Sequence, residues 1–221
     1  SSETLHNALV KVVREADVLR MLDDELATHM IMVLLDSNHG LSDSEVDSFY
    51  REGLTFFSLK DSGFPYSEAE LRRAEKILLN WKNTILHQTL YTGKKKIPKY
   101  LSWAVLYACA WAYDNGYMIT DREEFFGLVK AIDDRLTVDS DSDYAAARTR
   151  ALRHGKDPKT ISRSAYYVNW TGLPHQAPAR NKRIAALCSE FAKNKTQMSL
   201  RLRNTNKNNQ VVEHLECESL G

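Results

Sequence analysis

The residues best suited to chemistry stand in the second part of the chain. Arg148, Arg150, Arg153, His154, Lys156, Lys159 and Arg163 fall within one short basic stretch, and Arg180, Lys182 and Arg183 open a later helical pattern. Cations at this density suit a polyanion, because each Lys or Arg that meets a phosphate releases condensed counterions. Tyr166, Tyr167 and Trp170 lie between the two clusters and offer rings on which bases or sugars can stack. The expected nucleic-acid contacts are therefore Arg148, Arg150, Arg153, Lys156, Lys159, Arg163, Arg180, Lys182 and Arg183, with DNA or RNA as partner. A solvated basic face with its aromatics in the core is the plainer alternative for the same residues.

Other constellations carry less. Glu25 and His29 are four apart, a helical spacing that puts two potential metal ligands on one face, but no third ligand is suggested. Asp133, Asp134, Asp139, Asp141 and Asp143 form an acidic group without the glycine and glutamate of a calcium loop, and read as a solvated linker. No Walker A, dinucleotide-binding, nucleophile-elbow or zinc-protease motif occurs, and no cofactor or metal is expected. Cys109, Cys188 and Cys217 are scattered and odd in number, which suggests neither a disulfide framework nor a zinc cluster and fits a reducing, cytoplasmic setting.

The charge is unevenly placed. Residues 1–140 hold 16 Lys/Arg against 22 Asp/Glu, and residues 141–221 hold 14 against 7, so a net charge of only +1 conceals an acidic first part and a basic second. Such asymmetry argues for an anionic partner, or for contact between an acidic and a basic surface in an assembly, which is a second functional reading. The chain opens Ser-Ser-Glu with no Met and no signal pattern, which reads as a piece of a longer protein.

The elements that must position these residues read as helices. Leu101 to Tyr113 carries no charge on any helical face, the mark of a buried helix, and at this length it is too short to cross a bilayer. No membrane partner is expected. Leu5, Leu9, Val12 and Val13 define an amphipathic first helix, and Arg20–Leu35 a second that opens on Asp23, Asp24 and Glu25. Ser42/Glu45, Ser67/Glu70 and Thr120/Glu123 have the spacing of capping boxes and predict three helix starts. Tyr144–His154 ends at Gly155, and Ile184, Leu187, Cys188 and Phe191 mark a last helix over Ala179–Phe191. The stretch Ile161–Trp170 is compatible with helix or extended chain. No period-2 strand pattern persists.

The expected fold is therefore all-α, a compact bundle or array of about eight helices around a buried central helix at 100–113. A helical core unit at 1–136 is expected to join a basic helical unit at 143–192 through the polar linker Thr137–Ser142. A polar, flexible tail at 193–221 follows.

Two family resemblances attach to these residues. The R-x5-H pair Arg148 and His154 resembles the active-site motif of HEPN-type ribonucleases, helical proteins that cut RNA without metal; this implies a third functional reading, with Arg148 and His154 catalytic. The run RMLDDELATHMIMVLL, with Leu5-His6-Asn7-Ala8-Leu9 before it and Leu41-Ser42 and Phe49-Tyr50 after it, resembles the helical half of GmrSD-type proteins. These pair a ParB/sulfiredoxin-like domain with a helical region, and many restrict phage or modified DNA in bacteria. On that resemblance Arg20, Asp23 or Asp24, and Glu25 stand at the head of a family helix, and Ala179-Arg180-Asn181-Lys182-Arg183-Ile184 resembles the closing helix. The D-G-Q-Q-R-like stretch of the ParB-like half and the HNH motif of some members do not occur. The resemblance thus implies a binding domain of a bacterial restriction or anti-phage defence protein, without the catalytic half and able to meet other parts of a defence complex.

Overall fold

The computed structural model describes residues 2–13, 22–37, 41–42, 44–49, 51, 66–91, 95–157 and 177–203. The fold is all-α apart from one small sheet. In chain order it comprises α1 (Ser2–Val10), α2 (Leu22–Leu35), α3 (Glu68–His87), α4 (Lys99–Asp114), β1 (Tyr117–Ile119), α5 (Arg122–Arg153), α6 (Ala177–Lys193), a 3-10 turn (Lys195–Gln197) and β2 (Leu200–Leu202).

The charge-free run lies at the centre, as its composition requires. Every residue of α4 from Leu101 to Cys109 is buried, and α3, α5, α6 and β1 all pack on it. Burying one large aliphatic or aromatic side chain is worth roughly 1.5–3 kcal/mol, and α4 supplies several. A buried polar tie to α3 comes from Trp81, whose Nε1 donates to the carbonyl of Ser102 at 3.1 Å. Asn115 and Gly116 end the helix, with Gly116 at φ +74°, where a side chain is disfavoured.

α3 starts where the capping-box spacing predicts. The Ser67 amide donates to Glu70 Oε2 at 2.7 Å while the Glu70 amide donates to Ser67 Oγ at 3.3 Å, so two otherwise orphaned donors are satisfied. Ala74, Ile77, Trp81, Thr84 and Ile85 form its buried face. Ser42 and Glu45 meet at the same spacing, the Ser42 amide donating to Glu45 Oε2 at 3.1 Å. α1 is fastened by Lys11 Nζ on the carbonyl of Leu86 at 3.0 Å and by Lys96 Nζ on the carbonyl of Val10 at 2.7 Å.

α5 departs from expectation at both its start and its middle. Its cap is Asp121, whose Oδ1 accepts from the amides of Glu123 and Glu124 at 2.9 Å each. Thr120 is engaged elsewhere, its hydroxyl donating to the carbonyl of Ser199 at 2.7 Å. The helix then runs 32 residues without a break, through the Thr137–Ser142 stretch expected to be a linker. No Gly or Pro stands between Gly127 and Gly155. Isolated Ser, Thr and Asp residues cost only about half a kcal/mol each in a helix. The Thr137 hydroxyl is satisfied within the helix, donating to the carbonyl of Asp133 at 2.8 Å. The helix therefore crosses the expected boundary between the two units, and Gly155, at φ +66°, closes it.

The expected tail is also corrected as far as Arg203. Met198 is fully buried, and β2 pairs antiparallel with β1 in the register Tyr117 to Leu202, Met118 to Arg201 and Ile119 to Leu200. Arg203 closes this joint. Its guanidinium lies 4.0 Å from the Tyr113 ring centroid and donates to the carbonyls of Tyr113 and Tyr117 at 2.8 and 3.2 Å. Residues 204–221 lie outside the described part.

Candidate nucleic-acid interface

The outer end of α5 and the turn after it carry four of the nine expected basic contacts. Arg148, Arg150, Arg153 and Lys156 are all exposed. Ala151 is buried and marks the packed side of this helix end. At about 100° per residue, Arg153 stands about 160° around the helix from Ala151, opposite the packed side, while Arg150 at about 100° and Arg148 at about 60° stand to its two flanks. The Arg148 guanidinium lies 5.7 Å from the Tyr144 ring centroid. A basic last turn also complements the negative end of the helix dipole, which accounts for part of the cluster without any ligand. Asp139 is exposed on the same helix, and its charge reduces the local positive field.

Two of the nine expected contacts are structural instead. Arg180 is 0% and Arg183 3% exposed. Arg180 donates to the carbonyl of Ser37 at 2.8 Å, and burial pulls its pKa below the usual arginine value. Arg183 donates to the carbonyl of Tyr100 and to Asp133 Oδ1, each at 3.0 Å. These arginines are turned inward, Arg180 toward the end of α2 and Arg183 toward α4 and α5, and so do not present to a polyanion. The signal was present in the sequence: Arg180, Arg183, Ile184, Leu187 and Phe191 follow one helical stripe, and the apolar part of that stripe faces the core. Lys182, off the stripe, is exposed. Lys159, Arg163, Tyr166, Tyr167 and Trp170 lie outside the described residues.

Asp133 is the buried partner of Arg183 that the sequence hid. Read as part of a solvated acidic linker, it is instead fully buried on α5, next to the apolar run Phe125, Phe126, Val129 and Ile132. Burial pushes its carboxyl above the ordinary value against the opposing pull of Arg183. Asp134, one residue on, is exposed and pairs with Lys130 at 2.5 Å. On the outside of α6, Glu190 binds Arg135 and, at 2.6 Å, Lys193, which lowers its pKa.

The remaining candidates do not converge. Positions 148 and 154 stand about 120° apart around a helix of ordinary pitch. His154 is the C-cap, its amide donating to the carbonyls of Arg150 and Ala151 at 3.1 Å each. Arg148 and His154 are thus not brought together within this helix. Glu25 Oε1 lies 3.9 Å from Nε2 of the largely buried His29, and no group of three or more His, Cys, Asp or Glu side chains able to hold a metal occurs among the described residues. Of the family-like helix head, Arg20 lies outside the described part, and Asp23, Asp24 and Glu25 fall in the first turn of α2. Burial pushes the thiols of Cys109 and Cys188 up to about 12 and about 11, far from the range of an activated nucleophile.

Compared with protein-family models, curated proteins and solved structures, the chain matches none. Among the described residues no helix is long and apolar enough to cross a membrane.

Proposed function

We propose that this chain is a helical binding domain that contacts the backbone of nucleic acid through the outer end of α5. The observation that supports the reading is the exposure of Arg148, Arg150, Arg153 and Lys156 together at one helix end, with Arg153 opposite the packed side. The chemistry there is phosphate contact, which is independent of sequence and positions a partner without reading bases. The resemblance to the helical half of GmrSD-type proteins supplies the setting, a bacterial restriction or anti-phage defence protein. In that setting the domain holds DNA while another part of the protein or complex performs the cutting.

The test is a salt titration of binding to random-sequence duplex, followed by fluorescence anisotropy. The four exposed cations can release up to about four counterions, so the slope of log K against log salt should approach roughly −3.6. Replacing Arg150 and Arg153 together by Ala should weaken binding at low salt and make the slope shallower by about 2. A chain that fails to bind duplex at low salt, or a double variant with an unchanged slope, sinks this reading.

A further inference from the structure

The exposed side of α3 carries a pattern that the nucleic-acid reading does not use. Leu5 of α1, Ile31 of α2 and Leu71, Ala74, Leu78 and Leu79 of α3 line an apolar groove of about 390 Å³. Leu79 is 43% exposed, unusual for a leucine in the middle of a 20-residue helix. Two charges, Glu75 and Lys82, stand on the groove wall. No ion pair engages either of them among the described residues.

The order of these residues is self-complementary. If a second α3 lies antiparallel on the first, with a two-fold axis between Leu78 and Leu79, then Glu75 of each copy faces Lys82 of the other. The same operation sets Leu71 opposite Leu86 and Leu78 opposite Leu79. All of these positions lie on one stripe of the helix, since residues seven apart return to within about 20° of the same direction. This is what a closed two-fold interface requires, where residue i meets j and j meets i. A pairing of parallel helices would set like charges together instead, which the charge order disfavours.

We propose that the α3 groove is the dimer interface of this chain, with a second copy seated antiparallel on it. Leu79 of each copy enters the groove of the other, lined by Leu5, Ile31, Leu71 and Leu78, and two Glu75–Lys82 pairs flank the apolar centre. The inference is independent of the nucleic-acid reading, because no residue of the outer end of α5 takes part.

Sedimentation equilibrium of the full chain over a wide concentration range tests it. The expected species is a dimer. Leu79→Glu, which alters a side chain outside the buried core, should give a folded monomer with an unchanged circular dichroism spectrum. Glu75→Lys alone and Lys82→Glu alone each turn both cross-pairs into like charges and should weaken dimerisation about tenfold or more. The double charge swap E75K/K82E restores opposite charges across the axis and should return the dimer to near wild-type affinity. A wild-type chain that stays monomeric overturns the proposal. So does a dimer in which the double swap is no tighter than the single reversals, since that dimer would use another face.

Discussion

A guanidinium and a carboxylate taken out of water together cost several kcal/mol each, and Arg183 with Asp133 recovers that only through close geometry. The Arg183 side chain meets both Asp133 Oδ1 and the carbonyl of Tyr100 at 3.0 Å, so it ties α6 to α5 and to the start of α4 at one point. Removing one partner leaves the other as a buried charge. Arg183→Met should therefore destabilise the fold by about 3–5 kcal/mol at neutral pH, read from urea unfolding. Replacing both by apolar residues of similar size should cost much less. The pH dependence has a defined sign. Burial already holds Asp133 above the ordinary carboxylate value, so the folded chain binds that proton more readily than the unfolded one. Its contribution to stability is thus fully present in acid and declines as pH rises through the interval above the ordinary value. Without Arg183 that interval extends further upward, so the penalty of the variant should shrink on acidification. A penalty that is constant with pH would mean that Asp133 carries no net charge in the fold.

Helix starts divide into those set by local chemistry and those claimed by distant partners. Ser67 and Glu70 satisfy each other across three residues, with no help from the rest of the chain, and the box was legible for that reason. Thr120 and Glu123 have the same spacing but a different outcome, because Thr120 is bound to Ser199, seventy-nine residues away, and Asp121 takes the cap. Ser67→Ala and Asp121→Ala should each destabilise by about 1 kcal/mol in thermal or urea unfolding, while Thr120→Val should act through the Ser199 joint instead of the helix start. The continuity of α5 through Thr137–Ser142 has a similar lesson. Polar residues alone suggest a linker, yet a helix breaks reliably only where Gly or Pro removes its support, and none occurs there. The buried stripe of α6 was equally visible in part. Its apolar members Ile184, Leu187 and Phe191 were legible, whereas Arg180 and Arg183 on the same line looked like ligand contacts, since composition alone does not reveal a buried carboxylate or carbonyl waiting for them.

At the scale of the molecule, the central helix was readable because its burial is written into every residue from Leu101 to Cys109, and the closure of the C-terminal part was not, because it depends on very few residues. A strand of three residues such as Leu200–Leu202 is shorter than the period-2 signal needs, and the polar sequence around it resembles a free tail. What fixes it is long-range: β2 pairs with β1, Met198 fills a fully buried site behind the 3-10 turn, and Arg203 clasps the end of α4 through Tyr113. Trp111 and Tyr117 stack at 5.8 Å, and Phe191 of α6 lies 6.2 Å from Trp111 with its ring tilted. The segment after α6 therefore closes the core instead of trailing from it, and its contribution can be measured. Met198→Ala empties a buried site and should destabilise by about 2–5 kcal/mol. Arg203→Ala loses a cation–π contact and two hydrogen bonds at a half-buried position and should cost about 1–2 kcal/mol. The two side chains hold one element, so the double variant should cost less than the sum of the singles once β2 has detached. Hydrogen exchange gives the independent readout: in Met198→Ala the amides of Thr120 and Arg203, which donate to the carbonyls of Ser199 and Gly116 at 2.8 Å, should lose protection before those of α4. Protection lost uniformly across α4 and the sheet would instead make the joint part of a single cooperative core.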